Sequence, residues 1–272
     1  MRTPPKIVWA QLLCLLLLTS QALAEGVCVV GGLTREATLS PGSKSEGRVT
    51  LVNNTGEPCQ VRVYQTDYLF YADGRNLYGD PGSAPRSNAR WVTFTPHQVV
   101  VPARDMAPVD YTIQVPQDDQ LTGTYWSMLM VEPLETDGPG PPEAEEDKTK
   151  VGLRTVLRYG IQLVTHLGDA GTRDLRFHGQ RLLVADGKRL LQLDAENVGE
   201  QWLNPVLWVE VHDEKGAAVS RFDARKTRLY PGCSACFQLD LTALAPGSYN
   251  ALIVADNEDD NVFGAQCKLA IR

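Results

Sequence analysis

Two thiols three residues apart, Cys233-Ser-Ala-Cys236, have the spacing in this chain best suited to chemistry. The spacing serves a dithiol redox couple or half of a zinc site. A redox pair needs a helix N-terminus to lower a thiol pKa. This pair instead lies between the Pro231-Gly232 turn and the alternating run Phe237-Gln238-Leu239-Asp240-Leu241. Structural zinc takes four ligands, and Cys267 is the one further thiol in the same half of the chain. A structural disulfide fits the residues better if the chain is exported to an oxidising compartment. Any two of Cys233, Cys236 and Cys267 could form it. Cys28 and Cys59 lie in the first half, where a bridge would staple the first strand to the loop after the second. These five are an odd number, which leaves one thiol over or one bond to another chain.

The other reactive residue types form no constellation. Asp256-Asn257-Glu258-Asp259-Asp260-Asn261 offers oxygen ligands but lacks the spacing of a calcium loop, and it reads as an acidic hairpin turn. His97, His166, His178 and His212 are scattered, with no Ser-His-Asp or Cys-His order beside them and no paired carboxylates. The expectation is a protein without catalytic residues, metal or cofactor, and not an enzyme. Charge narrows the partners. The 272 residues carry 26 Lys and Arg against 33 Asp and Glu, a net charge of −7. Phosphate backbones and anionic lipid are bound chiefly through Lys and Arg, so neither nucleic acid nor a membrane surface is expected as a partner.

The positions that would set these residues in space begin after a leader. Arg2 and Lys6, an apolar run from Ile7 to Leu18, and Ala22-Leu23-Ala24 have the three parts of a secretory signal peptide over residues 1–24. The run is too short to span a membrane. Cys14 does not follow a small residue, which argues against a lipid anchor. The mature chain is therefore expected to be periplasmic or secreted, with no membrane span.

Beyond the leader the chain is built of short alternating runs punctuated by turns: residues 47–53, 60–70, 90–94, 109–115 and 123–131, then 189–194, 206–212, 236–241, 249–255 and 265–271. Asn54-Thr55-Gly56, Asp73-Gly74, Pro81-Gly82, Asp186-Gly187, Lys215-Gly216 and Pro246-Gly247 separate runs of this kind. This spacing predicts an all-β chain of two immunoglobulin-like β-sandwiches in tandem. The first is expected over 25–168 and the second over 169–272, with the break where His166-Leu167-Gly168-Asp169-Ala170-Gly171 interrupts the alternation. Residues 72–89 read as a long irregular loop, and the Pro/Gly-rich acidic stretch 135–150 has the composition of a mobile one.

One strand has an apolar residue set too large for a single face. In Gly123–Pro133, Tyr125, Leu129 and Val131 point one way while Trp126, Met128 and Met130 point the other. One set is expected in the core. The second needs cover from the neighbouring domain, from the loop 72–89 or from a partner. Residues 151–167 form another long regular strand, with Val151, Leu153, Leu157, Tyr159, Ile161 and Leu163 on one side and Arg154, Arg158 and Gln162 on the other.

The strand pair Val-Pro-Gln-Asp-Asp-Gln-Leu-Thr-Gly-Thr-Tyr-Trp-Ser-Met-Leu-Met-Val-Glu-Pro (115–133) and Thr-Val-Leu-Arg-Tyr-Gly-Ile-Gln-Leu-Val-Thr-His-Leu (155–167), with the loop between them, resembles the usher-type periplasmic chaperones of pilus assembly. Residues 32–54 are similar to the first two strands of that family. The resemblance covers about residues 33–167; for the second half it carries only the architecture. It implies two immunoglobulin-like domains and capture of an unfinished pilus subunit by strand addition along 151–167. Leu153, Leu157, Tyr159 and Ile161 would then set the register. The family holds a client's C-terminal carboxylate with an Arg on the first strand and a Lys on the last. Arg35 lies where that Arg would be, whereas the Lys position holds Gln162, with Arg158 and Gly160 as neighbours. The partners implied are exported protein subunits or envelope proteins. A looser resemblance is to Gram-positive surface proteins with tandem immunoglobulin-like modules, and it implies a structural or adhesive envelope protein instead.

Overall fold

The computed structural model describes residues 26–134 and 157–271. The leader expected over 1–24, the acidic stretch 135–150 and Leu153 lie outside the described residues. Ten strands come first: β1 (Val27–Val29), β2 (Thr34–Leu39), β3 (Lys44–Asn53), β4 (Cys59–Phe70), β5 (Asn76–Gly79), β6 (Val92–Thr95), β7 (Gln98–Val101), β8 (Met106–Gln114), β9 (Gly123–Pro133) and β10 (Tyr159–Leu167). Seven follow: β11 (Leu175–Ala185), β12 (Lys188–Asn197), β13 (Val206–His212), β14 (Ala218–Asp223), β15 (Ser234–Asp240), β16 (Gly247–Asp256) and β17 (Val262–Ile271).

The first ten build two facing sheets, in the order β1-β3-β8-β6 and β2-β10-β9-β4-β5, with β7 also on β4. Period-two alternation explains the core between them. Val49, Leu51, Val109 and Ile113 from one sheet meet Val61, Val63, Leu129, Val131, Ile161 and Leu163 from the other. Each aliphatic side chain buried this way contributes about 1.5–3 kcal/mol. The last seven strands form a second pair of sheets, β11-β12-β15 and β14-β13-β16-β17. Leu191, Leu193, Phe237 and Leu239 there pack on Leu207, Val209, Ala251, Ile253 and Leu269. The chain is thus two β-sandwiches in tandem, the expected fold class.

Among the described residues all strand pairs are antiparallel except one. β2 runs parallel to β10, with Thr34 beside Gln162 and Leu39 beside Leu167. That strand caps one edge of its sheet, but only in part.

The stretch 72–89 is more ordered than its composition suggests. It contains β5, which folds back on β4 so that Tyr78 faces Tyr68. The Gly- and Pro-rich remainder is gathered by one buried carboxylate. Asp67 accepts hydrogen bonds from the Gly82 N–H (3.2 Å), the Ala84 N–H (2.7 Å) and the hydroxyls of Ser83 and Ser87. Buried polar groups must be paired, and here a loop supplies the partners from its own backbone.

No disulfide joins any two of the described cysteines. The alternation gives the reason in the second sandwich. Phe237 and Leu239 of β15 point into the core, so Cys236 points out, whereas Cys267 of β17 packs against that core from the opposite sheet. Cys233 is buried elsewhere, among Trp126, Val164 and Tyr230. Cys28 lies in the first sheet, on β1, and Cys59 opens β4 in the facing one.

Candidate partner-binding edge

β10 is hydrogen-bonded to β9 along its whole length, from Tyr159 opposite Val131 to Leu167 opposite Gly123. On its other side β2 begins late. Its pairing starts with the Gln162 N–H donating to the Leu33 carbonyl at 2.8 Å. Tyr159, Gly160 and Ile161 therefore have a neighbouring strand on one side only among the described residues, and Leu157 and Arg158 lead into them outside the β9 pairing. A row of main-chain donors and acceptors is left open, the template for pairing with another strand.

The two faces of this short edge differ. On the inner face Ile161 is 0 % exposed and fills the first core, as does Leu163, while Tyr159 is half-buried against it. Ile161 is therefore engaged by its own sandwich. Leu157, 52 % exposed, remains accessible.

On the outer face the central residue is Gly160. A Cβ placed there would lie 2.5 Å from Met128 Cε and 3.2 Å from Met130 Sδ. The two methionines lean across the glycine toward the open edge, and the polarisable thioethers adapt to whatever shape comes beside them. Next to them Arg62 pairs with Glu132 and sits 4.9 Å from the Tyr64 ring centroid, while Arg158 approaches Glu132 at 3.9 Å. The hydrogen bond from Arg62 holds the Glu132 carboxyl below its ordinary pKa, and the edge is flanked by a fixed charge pair.

Where the open edge meets β2, the polar group is neutral. Gln162 Oε1 accepts from the Tyr230 hydroxyl at 3.0 Å and from Thr34 Oγ1 at 3.3 Å. Arg35 does not reach it. In the parallel register Arg35 pairs with Leu163, one residue out of phase with Gln162. Its guanidinium donates to the carbonyls of Val30, at 3.1 Å, and of Gly32. A cation beside this cluster comes from the second sandwich. Arg228 lies against the Tyr230 hydroxyl, pairs with Glu36 and stacks over Trp202 at 4.5 Å. Of the residues singled out in the sequence, Leu157, Arg158, Tyr159, Ile161 and Gln162 share the β10 line, and Arg35 stands apart. Thr34, Gly160, Tyr230 and Arg228 were not singled out as binding residues. Gly160 is legible as a small residue in an apolar run, and Tyr230 as the aromatic before a Pro-Gly turn.

The second apolar face of β9 is covered by the second sandwich. Trp126 stacks on Tyr230, with ring centroids 4.9 Å apart and planes 20° apart, and its indole N–H donates to the Tyr68 carbonyl at 2.9 Å. Phe70 meets the same Tyr230 edge-on, and Val164 and Cys233 complete the cluster. Burial pushes the Cys233 thiol up to about 12, so it is a packing group and no nucleophile at neutral pH. Below this cluster the backbones lock. The Thr124 N–H donates to the Glu200 carbonyl at 2.8 Å, the Trp202 N–H donates to Thr124 Oγ1 at 3.1 Å, and Arg86 pairs with Glu200. Gly123, at φ +81°, passes so close that a Cβ would fall 2.3 Å from the Glu200 carbonyl oxygen. His166 sits at the same junction, with Nδ1 3.1 Å from Thr124 Oγ1 and Nε2 3.5 Å from Glu36. Burial lowers its pKa, partly offset by Glu36.

No protein-family model matches the chain, and no curated protein matches it. Among solved structures it is similar to a chain of the chaperone–tip adhesin complex of CFA/I fimbriae. The two are 12 % identical over 89 % of this chain and 98 % of that one, with a TM-score of 0.48. It is also similar to the class 5 fimbriae chaperone CfaA, at 11 % identity over 89 % and 98 % of the two chains and a TM-score of 0.47. The chaperone DraB of E. coli is a third, at 12 % identity over 91 % and 97 % and a TM-score of 0.40. No helix among the described residues is long and apolar enough to cross a membrane.

Proposed function

We propose that the protein is an exported, non-enzymatic binding protein of the periplasmic-chaperone kind, which holds an exported protein subunit by β-strand addition beside residues 157–161. The observation that carries this reading is the late start of β2. Among the described residues it leaves the first residues of β10 with an unpaired main-chain edge whose inner face is already filled and whose outer face is floored by Met128 and Met130. In strand addition the main chain supplies affinity and alternate side chains supply register. Here an incoming strand finds Leu157 and Tyr159 on the inner side and the notch over Gly160 on the outer. A partner residue beside Gly160 meets Met128 and Met130, which lean across the glycine, so this side suits an apolar residue.

The test is site-specific photocrosslinking in cells, with the reactive group at position 157 or, as control, at Thr112 on the outward face of the opposite sheet. Adducts to exported proteins at 157 and none at 112 are expected. Gly160→Val, which pushes the methionines aside and fills the notch, should cut the adduct at 157 severalfold in a protein that remains folded. Equal labelling at both positions, or labelling indifferent to Gly160→Val, would sink the reading.

A further inference from the structure

The other sandwich has an open edge of a different kind. β11 pairs with β12 alone, and no strand occupies its far side among the described residues. A bulge between Phe177 and Gly179 disturbs its first half, and from Gly179 to Ala185 the register is regular. Every residue from His178 to Ala185 is exposed. Three consecutive ones are apolar: Leu182, 36 % exposed, Leu183, 41 %, and Val184, 76 %. Leu182 shares a face with the buried Leu191, while Leu183 shares the opposite face with Leu190. The strand is therefore apolar on both sides at once. Exposed edges are ordinarily blunted by proline or inward-pointing charge, and residues 179–185 contain neither.

We propose that this edge is a two-fold interface with a second copy of the chain, β11 pairing antiparallel with its own counterpart about Leu183. The register follows from symmetry and side-chain chemistry. A two-fold axis perpendicular to a sheet keeps each face on its own side, so the pairing must centre on a residue. Centred on Arg181, it sets like charges directly opposite each other, which destabilises. Centred on Leu182, it sets Leu183 opposite Arg181 and Val184 opposite Gln180. Centred on Val184, it sets Leu182 opposite Asp186. Centred on Leu183, it sets Leu183 against Leu183 and Leu182 against Val184 in both directions, with Arg181 opposite Ala185. That is the register in which all three apolar residues meet apolar partners. Arg181 is then free to keep its own carboxylate, Asp194, at 2.8 Å. The other occupant of such an edge would be an extended segment of a different protein. The self-match of the Leu-Leu-Val run and the absence of a like-charge clash favour a second copy. The area is modest. Pairing over residues 180–186 buries less than the roughly 1,200–2,000 Å² of a stable interface, so the dimer should be concentration-dependent and form at about micromolar to millimolar concentrations.

The experiment uses the full mature chain. Sedimentation equilibrium up to about 200 µM should show mass rising toward the dimer. Leu183→Lys should weaken self-association at least tenfold while leaving the unfolding midpoint unchanged, because the side chain is exposed in the monomer. Leu183→Glu should do the same, and mixing the two variants should restore a dimer through opposite charges at the axis. L183C should form a covalent dimer on mild oxidation with a bridging peptide containing position 183, and V219C, on an exposed part of β14, should not. A monomer at every concentration overturns the proposal. So do a dimer untouched by Leu183→Lys, no rescue on mixing, or equal crosslinking through V219C, which would mean association by some other surface.

Discussion

Two of the edges left open among the described residues, beside the start of β10 and beside β11, are built on different plans. Beside β10 the open part is short, one face is sealed in the core by Ile161, and the other is floored by Met128 and Met130 across Gly160. Ile161, Met128 and Met130 are buried there before anything binds, Leu157 stays exposed, and the main chain is left unpaired among the described residues. Beside β11 the open part is longer and the side chains are unsatisfied too, since Leu182, Leu183 and Val184 are exposed on both faces. An edge of the first kind can accept many sequences, because main-chain hydrogen bonds do not read side chains. One of the second kind is selective for a strand that is itself apolar on both faces.

The contrast can be broken by substitution. The largest effect should come from Ile161→Lys. It puts an unpaired charge into a filled core and should cost 4 kcal/mol or more, to the point of preventing folding. The same change at Leu183 should stay within about 0.5 kcal/mol by urea unfolding. If both variants fold equally well, the inner face of β10 is not sealed. Gly160→Val comes next. Its Cβ overlaps Met128, and overpacking of this kind costs about 1–3 kcal/mol, part of which Met128→Ala in the same chain should return. Tyr230→Phe removes one of two donors to Gln162 Oε1 and should cost about 1 kcal/mol, with the tryptophan fluorescence of the junction little changed because the ring stack survives.

The smallest expected effect is on pH. His166 has a folded pKa lowered chiefly by burial, so the unfolded chain binds a proton more readily. Stability is full above the ordinary histidine range, near pH 6.5, and declines as pH falls through the lowered folded value. His166→Gln should flatten that decline. Hydrogen exchange completes the comparison. The amides of 159–161 that face the open side should exchange faster than those of 163–167, which lie under β2, and a bound partner should slow the former alone.

Much of this could be read from the chain. Alternation located the long strands, because each buries one face and turn residues bound it. The double apolar face of Gly123–Pro133 called for a cover, and Trp126 found it in Tyr230. What could not be read depends on register across long separations. Arg35 and Thr34 are neighbours in sequence, and only the parallel pairing with β10 decides which of them meets Gln162. β5 and β11 carry little alternation, since neither has a buried face along most of its length. Spacing in sequence is likewise silent on which face of a sandwich each cysteine thiol occupies. The gathering of residues 82–87 by Asp67 has no local signature, because the carboxylate lies on β4, outside the loop it orders.

The close passage of Gly123 beneath Glu200 has a consequence for how this molecule can change over time. Side-chain contacts at a joint can be traded one for another, and the angle between two bodies drifts as they are. Here backbone rests on backbone, with Gly171 at φ +111° wedged against the same Gly123 and Glu200. A joint of that kind has almost no accessible neighbours in sequence space. The two sandwiches should therefore resist separate exchange, and a chimera that takes its second half from another protein should fold both halves yet lose the alignment that puts Tyr230 over Gln162.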